Sequence, residues 1–317
     1  MHEFELIHRY FATGSVRRDD VTLGIGDDAA ILRVPEDHEL AVSVDSLVAG
    51  VHFPADLAAD SVGHRALAVN LSDLAAMGAQ PAWALLALTL PESDEHWLAD
   101  FARGFFALAQ RFGVTLVGGN LARGPLNVSV TVHGFIPAGQ ALTRKGAHPG
   151  DQVFVTGFPG DAAAGLEMLQ TGVDAHDQDQ CVRRFAFPEP RIATGLGLRG
   201  VASAMIDISD GLAVDLGHVL EASGVGARID VERLPLSPSL LKQRSREQAQ
   251  IMALSGGDDY ELCFSVPRER LALLESRKNT LGCTVMPIGE ITVAGNLRVI
   301  KQDGSDWPLN HTGYQHF

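Results

Sequence analysis

Five short aspartate-bearing motifs constrain this chain more than any other feature. They are Gly26-Asp27-Asp28-Ala29, Ser43-Val44-Asp45, Asn70-Leu71-Ser72-Asp73, Asp207-Ile208-Ser209-Asp210-Gly211 and Ser255-Gly256-Gly257-Asp258-Asp259. Most fall where a predicted strand or helix meets a loop, a placement that lets folding gather them around one cleft. Carboxylates drawn together repel unless cations neutralise them, and hard, oxygen-seeking Mg²⁺ carried on phosphates suits such a set. Each motif also has an innocent reading. Asp beside Gly is common in turns, and Asp210 reads equally well as the N-cap of the helix after it. What sets the group apart is its embedding in apolar strands and helix ends, where a carboxylate needs partners.

At 317 residues the chain exceeds what a single core usually supports, so two domains are expected. Acidic residues outnumber basic ones 39 to 25, a formal charge of −14, which disfavours nucleic acid or an anionic membrane as partner. The start, Met1 to Leu6, has neither the basic cluster nor the apolar run of a signal peptide. The most apolar stretch, Ala82 to Leu90, is too short to span a bilayer. Cys181, Cys263 and Cys283 form no CxxC and leave one thiol over, so neither a disulfide framework nor a zinc site is indicated. The expectation is a reduced, cytoplasmic protein with buried cysteines.

The first part of the chain alternates strand and helix patterns. Leu40 to Val44 reads as a strand ending on Asp45, and Ser61 as the cap of a helix running to about Met77. On that helix Asn70 and Asp73 share a face, with Leu67, Leu71 and Leu74 on another. Glu95 to Phe112 is a second amphipathic helix, its Trp97, Phe101, Phe105 and Leu108 at core spacing and Gly113 its stop. Leu126 to His133 alternates strictly, as a half-buried antiparallel strand does, which puts His133 on the polar face without a role. Composition shifts between Pro137 and Gly150, and the boundary is placed there, giving domains 1–137 and 138–317. The second domain reads as mixed α/β, with strands at Gln152–Thr156, Ala204–Ile208, Ala227–Val231, Tyr260–Val266 and Thr284–Ile288, and helices at Asp161–Gln170 and Asp210–Ala222.

Familiar phosphate motifs fail. Gly24 to Ala29 fits a dinucleotide fingerprint by letter, but Pro35 and a further strand follow where the pyrophosphate needs a helix. Gly195, Gly197 and Gly200 follow a helix pattern rather than a strand. No Gly is followed by Lys, so there is no Walker A loop; HRD, DFG, G-x-S-x-G and HExxH are also missing. Gly157-Phe158-Pro159-Gly160 opens a helix and could hold an anion, though a plain turn accounts for it as well.

Taken in order, Leu23 to Ala29, Val42 to Asp45, Ala68 to Ala79, Asp207 to Leu212 and Ser255 to Leu262 resemble the thiamine-monophosphate kinase family over effectively the whole chain. The helical segment Asn70-Leu71-Ser72-Asp73-Leu74-Ala75-Ala76-Met77-Gly78 is its most specific piece. The resemblance implies an α/β, two-domain architecture like aminoimidazole-ribonucleotide synthetase, with N-terminal domains pairing in a homodimer and substrates meeting in a cleft between domains. It implies transfer of the γ-phosphoryl group of ATP to thiamine monophosphate, giving thiamine diphosphate. By motif position Asp28, Asp45, Asp73, Asp207 and Asp210 hold Mg²⁺, with Asp27 and Ser43 nearby; Ser209, Gly119 and Arg144 contact ATP; His52, Asp258 and Tyr314 face the thiamine part. One departure stands out. The family commonly carries Gly-Gly-Asp where this chain has Gly118-Gly119-Asn120, so one metal position keeps an oxygen but loses a charge.

An acceptor phosphate, with a second pKa of about 6, is already nucleophilic at neutral pH and demands no general base. That agrees with the lack of any persuasive His or Cys pair. The competing readings are a related ATP-using enzyme with another acceptor, a metal-dependent phosphatase, and a non-catalytic Mg-nucleotide sensor, toward which Asn120 leans. A selenide-phosphorylating relative needs a reactive N-terminal Cys, and none precedes Cys181.

Overall fold

The apolar patterns of the chain resolve into two α/β units, each with its own sheet. The computed structural model describes residues 3–12, 14–172, 179–293, 295–308 and 313. Met1–Leu74 with Ala79–Gly139 form one unit; Ala75–Gly78 with Gln140–Phe317 form the other.

The first unit opens with α1 (Glu3–Leu6) and a two-stranded antiparallel sheet of β1 (Val21–Leu23) and β2 (Ile31–Leu32). No helix follows Gly24 to Ala29, so the dinucleotide reading falls on geometry as well as sequence. The main sheet has the order β3-β6-β4-β5, from β3 (His38–Val48), β4 (Gln80–Leu90), β5 (Thr115–Arg123) and β6 (Asn127–Pro137). Only β4 and β5 run parallel. The alternation expected of β6 is present, with Val128, Val130 and Val132 buried.

Strand β3 does not end on Asp45. Strand β6 supplies a partner for every residue from His38, opposite Pro137, to Val48, opposite Asn127, so the ladder carries Asp45 in its interior. Helix α2 (Ala59–Ala76) is buried on nearly every face, and the polar pair expected at its end is not a solvated one: Asn70 is fully buried and Asp73 half-buried. Helix α3 (Glu95–Phe112) follows its pattern closely. The Asp94 carboxylate accepts the N–H groups of His96 and Trp97, Gly113 closes the end in a left-handed conformation, and Phe101 and Phe105 are core.

The second unit is a six-stranded sheet of order β12-β9-β11-β7-β10-β8. Its strands are β7 (Gln152–Thr156), β8 (Ala204–Ile208), β9 (Gly226–Asp230), β10 (Glu261–Val266), β11 (Val285–Thr292) and β12 (Leu297–Ile300). All neighbours are antiparallel except β12 and β9. The helices are α4 (Asp161–Thr171), α5 (Gln180–Ala186), α6 (Ile192–Leu198), α7 (Leu212–Ser223), α8 (Pro238–Gln243), α9 (Arg246–Ser255) and α10 (Leu271–Arg277). Val153, Val155, Ile206 and Ile208 of the sheet pack with Leu212 and Leu216 of α7 in one core cluster. Cys181 and Cys263 are buried and Cys283 partly so. Among the described residues no helix is long and apolar enough to cross a membrane.

Candidate active site

In the first unit a cavity of about 830 Å³ gathers two stretches distant in sequence. Asp27 and Asp28, from the loop between β1 and β2, and Gly119 and Asn120, from β5, line it over an apolar floor that includes Leu86 and Val117. Gly119 is required where it stands. A Cβ built on it lies 1.8 Å from the carbonyl oxygen of Leu86, so only glycine lets β5 run this close to β4 and present Asn120. The two loop aspartates and Asn120 are exposed. His133, which alternation marked as inert, also lines the cavity, tilted against Trp83 at 6.2 Å. Burial pushes its pKa down, which keeps the imidazole neutral.

A second group sits on the seam between β3 and α2. Ser43 Oγ donates to Asp73 Oδ2 at 2.5 Å, and the Asp45 N–H donates to Asn70 Oδ1 at 2.9 Å. Asn70 Nδ2 in turn donates to the Ala66 carbonyl at 2.9 Å, so the amide is held at both ends. Ser43 and Asp45 are two apart on a strand and share a face, while Asn70 and Asp73 are three apart on a helix and do likewise. Three candidate oxygen donors, Ser43, Asp45 and Asp73, are thereby fixed on one seam. Just beyond β3, His52 Nδ1 accepts the Val48 N–H at 3.0 Å, which leaves the ring proton on Nε2.

In the second unit two of the aspartate motifs form a single structure. Asp207 is buried on β8, and Ser209 and Asp210 are half-buried in the loop that follows. The Asp258 N–H donates to the Ser209 carbonyl, and the Tyr260 N–H to the Ile208 carbonyl, both at 2.8 Å. Asp258 and Tyr260 have φ of 60° and 50°, a left-handed backbone that this docking holds in place. Asp210 does not cap α7. The N-cap is Gly211, which has no side chain, and the acceptor comes from inside the helix. Oδ2 of buried Asp215 takes the N–H groups of Ser209, Asp210 and Gly211 at 3.0, 3.1 and 3.1 Å. Burial raises the Asp215 pKa to about 6 despite those bonds. The sequence reading missed this residue. Nothing in the letters marks it, because its partners are the backbone N–H groups of Ser209, Asp210 and Gly211, in the loop that leads into the helix. Arg144 is exposed on a segment beside β8, anchored where Thr143 accepts the Met205 N–H at 2.9 Å.

The Gly157–Gly160 turn is not a vacant anion site. Asp259 Oδ1 accepts the Gly160 N–H at 2.8 Å, so the protein's own carboxylate meets the start of α4. The other Asp259 oxygen is buried without a partner among the described residues, and burial raises its pKa well above the ordinary range. Nearby, Glu261 is bound by Arg191 and by Thr156 Oγ1 at 2.6 Å. Asp161 takes the Ser237 hydroxyl at 2.6 Å, and burial lifts its pKa to about 6. Among the described residues no three Asp, Glu, His or Cys side chains form a group able to hold a metal ion by themselves. Tyr314 lies outside the described residues.

Comparison with known proteins gives a consistent result. The N-terminal domain of AIR synthase related protein matches residues 26–136, and its C-terminal domain matches residues 148–302. A thiamine-monophosphate kinase of Escherichia coli (strain K12) is 49% identical over 99% of this chain and 98% of its own length. The crystal structure of thiamine-monophosphate kinase from Stenotrophomonas maltophilia K279a superposes with a TM-score of 0.89 at 44% identity, covering 97% of this chain and 98% of that one. A structure of AaThiL complexed with AMPPCP and TMP superposes with a TM-score of 0.78 at 30% identity, covering 99% and 97% of the two chains.

Proposed function

Because the chain belongs to the AIR synthase related family and, within it, to the thiamine-monophosphate kinases, we propose that it transfers the γ-phosphoryl group of ATP to thiamine monophosphate. The products are thiamine diphosphate and ADP. The observation that carries the reading is the pairing of full-length similarity with motif convergence. The Gly26-Asp27-Asp28 loop and the Gly119-Asn120 strand line one cavity of about 830 Å³, within the range usual for small-molecule sites.

Residue roles follow from position. In the first unit Asp28, Asp45 and Asp73 are assigned as Mg²⁺ ligands, with Asp27, Ser43 and Asn120 beside them; in the second unit the assigned ligands are Asp207 and Asp210. All are hard oxygen donors in small groups. That fits a metal arriving on ATP, since Mg²⁺ commonly keeps waters and takes one or two carboxylates plus substrate phosphates. When bound, the metal supplies charge neutralisation and alignment for in-line transfer.

The remaining work falls to the chain itself. Gly119 and Asn120 bring the β5 backbone to the cavity wall and are assigned to ATP, as is Ser209 of the second unit. The exposed guanidinium of Arg144 offers a planar fork for phosphate oxygens. His52 presents an Nε2–H donor, and it is assigned with Asp258 and Tyr314 to the thiamine part. The acceptor oxygen is already anionic at neutral pH, so no side chain needs to remove a proton. The seam at Ser43, Asp45 and Asp73 is held by hydrogen bonds before any substrate arrives, which limits reorganisation during transfer.

We assign nucleotide binding and dimerisation to a domain of residues 1–137, and Asp207, Ser209, Asp210 and Asp258 to a domain of residues 138–317. Pairing of two copies is placed on the outer face of β3, where Leu40, Val42 and Val44 are 43%, 55% and 59% exposed. The reduced thiols accord with a cytoplasmic enzyme. The deciding experiment incubates the protein with ATP, Mg²⁺ and thiamine monophosphate and resolves the products. Thiamine diphosphate formed in step with ADP is expected. ADP without it would point to another acceptor, free phosphate without an acceptor to a phosphatase, and tight ATP binding without turnover to a sensor.

A further inference from the structure

Three consecutive backbone N–H groups converging on one side-chain oxygen is an arrangement that usually receives an external anion. Here the loop Ser209-Asp210-Gly211 at the head of the twelve-residue helix α7 has that form, and its occupant is internal. Asp215 Oδ2 accepts all three N–H groups within 3.1 Å. Two consequences follow. The N–H groups of Ser209, Asp210 and Gly211 are closed to phosphate, because all three are already engaged. What this loop has to offer a substrate is then the side chains of Ser209 and Asp210, carried on a backbone that Asp215 holds.

The opposite side of the same loop is held too. The Ser209 carbonyl accepts the Asp258 N–H, and Gly257 approaches so closely that a Cβ on it would lie 2.8 Å from the Ser209 oxygen. Gly313 packs against the Asp210 carbonyl in the same way, its notional Cβ 2.6 Å from that oxygen. The donors of residues 209–211 are therefore fixed from within α7, and the acceptors of residues 209 and 210 are fenced by two other segments. A loop clamped on both edges has little backbone freedom.

We infer that Asp215 is a positioning residue for the phosphoryl-transfer site: through its three hydrogen bonds it fixes Asp210 and Ser209 in the orientation that receives the metal-bound nucleotide. It touches neither substrate nor metal in this scheme. The inference rests on the assignment of Asp210 as a Mg²⁺ ligand.

The test separates the two claims. Activity of the full-length enzyme is measured against free Mg²⁺ for wild type, Asp215→Ala, Asp215→Asn, Asp210→Ala and the double variant Asp210→Ala/Asp215→Ala, with KM for ATP and for thiamine monophosphate and a melting curve for each. Asp215→Ala should raise the half-activating Mg²⁺ concentration about tenfold while KM for thiamine monophosphate moves by less than about twofold. Asp215→Asn, which can still offer one oxygen to the three donors, should stay within about threefold of wild type. In the Asp210→Ala background, removing Asp215 should add less than about a further twofold, because the two act as one unit. If Asp215→Ala does not fold, Asp215→Glu, which keeps the charge but displaces the oxygen, is read by the same criterion. A folded Asp215→Ala (or, where that does not fold, Asp215→Glu) with wild-type Mg²⁺ demand, alongside an impaired Asp210→Ala, overturns the positioning role alone. An Asp210→Ala enzyme with unchanged Mg²⁺ demand overturns the ligand assignment and the positioning role with it. Full additivity in the double variant also ends it.

Discussion

The side-chain oxygen of Asn70 and the backbone N–H of Asp45 lie 2.9 Å apart, a bond that ties helix α2 to the interior of strand β3. Asn70 is fully buried and spends its other end on the Ala66 carbonyl. Asn70→Ala therefore strips an acceptor from the Asp45 amide and leaves a polar group in the interior unpaired. The expected loss of stability is about 1–3 kcal/mol, read as a lower urea midpoint with unchanged slope. Turnover should fall as well, since Asp45 is freed to move. A variant with wild-type stability and wild-type kcat would show that this bond positions nothing.

Asp45 and Asp73 carry the seam's negative charge, and their replacement by Asn preserves shape while removing it. Asp45→Asn or Asp73→Asn should lower kcat by at least roughly tenfold, with the circular dichroism spectrum intact. Asp73→Asn still offers an oxygen to the Ser43 hydroxyl, so its defect should be electrostatic rather than structural. Near-normal turnover at saturating Mg²⁺ would remove both residues from the ligand set.

How far these features could be read in advance depended on how local their causes are. The aromatic spacing of α3, its Asp94 cap and its Gly113 stop are set within one helix, and so they were readable. The alternation of β6 was equally local. The length of β3 was not, because Asp45 stays in a ladder only when β6 lies alongside to pair with it. Asp215 escaped for the same reason: its partners are backbone N–H groups, which have no signature in the letters of the sequence. His133 looked inert on alternation alone, and the cavity it lines is assembled from segments about a hundred residues apart. The motif aspartates, with Ser43 and Asn70 beside them, could be named from their neighbours, whereas Asp215 and the hydrogen bonds that hold the set needed coordinates.

Asn120 presents an amide where the family commonly has a carboxylate, at the rim of a cavity already carrying Asp27 and Asp28. Restoring the charge with Asn120→Asp should strengthen metal binding there. The half-activating Mg²⁺ concentration is expected to drop by about threefold or more at fixed ATP. A higher Mg²⁺ demand, caused by repulsion from the two neighbouring carboxylates, would instead place Asn120 outside the metal's reach.

Strand β3 is an edge of its four-stranded sheet and exposes Leu40, Val42 and Val44 on alternate positions. An edge of this kind ordinarily carries charge to resist pairing, and positions 40, 42 and 44 of this one are exposed and apolar. Val42→Lys combined with Val44→Lys should convert a dimer into a monomer by light scattering, with the far-ultraviolet spectrum retained. A wild-type protein that is monomeric at micromolar concentration would refute the assignment at once.

Asp161 sits in the first turn of α4 with its pKa raised from 3.8 to about 6, principally by burial and against the pull of the Ser237 hydroxyl. A carboxyl whose folded pKa is raised binds its proton more tightly in the native state. Its contribution to stability is present below the unfolded value and is lost as pH climbs from 3.8 through about 6. The loss is on the order of 3 kcal/mol when complete. Asp161→Asn stays neutral at every pH and keeps an oxygen for the Ser237 hydroxyl. Compared with wild type it should gain stability as pH rises from about 4 to about 7 and hold that gain above, a trend read from urea midpoints across the range. A difference between the two proteins that stays constant from acid to neutral pH would mean that Asp161 titrates alike in the folded and unfolded chain, and that burial does not raise its pKa.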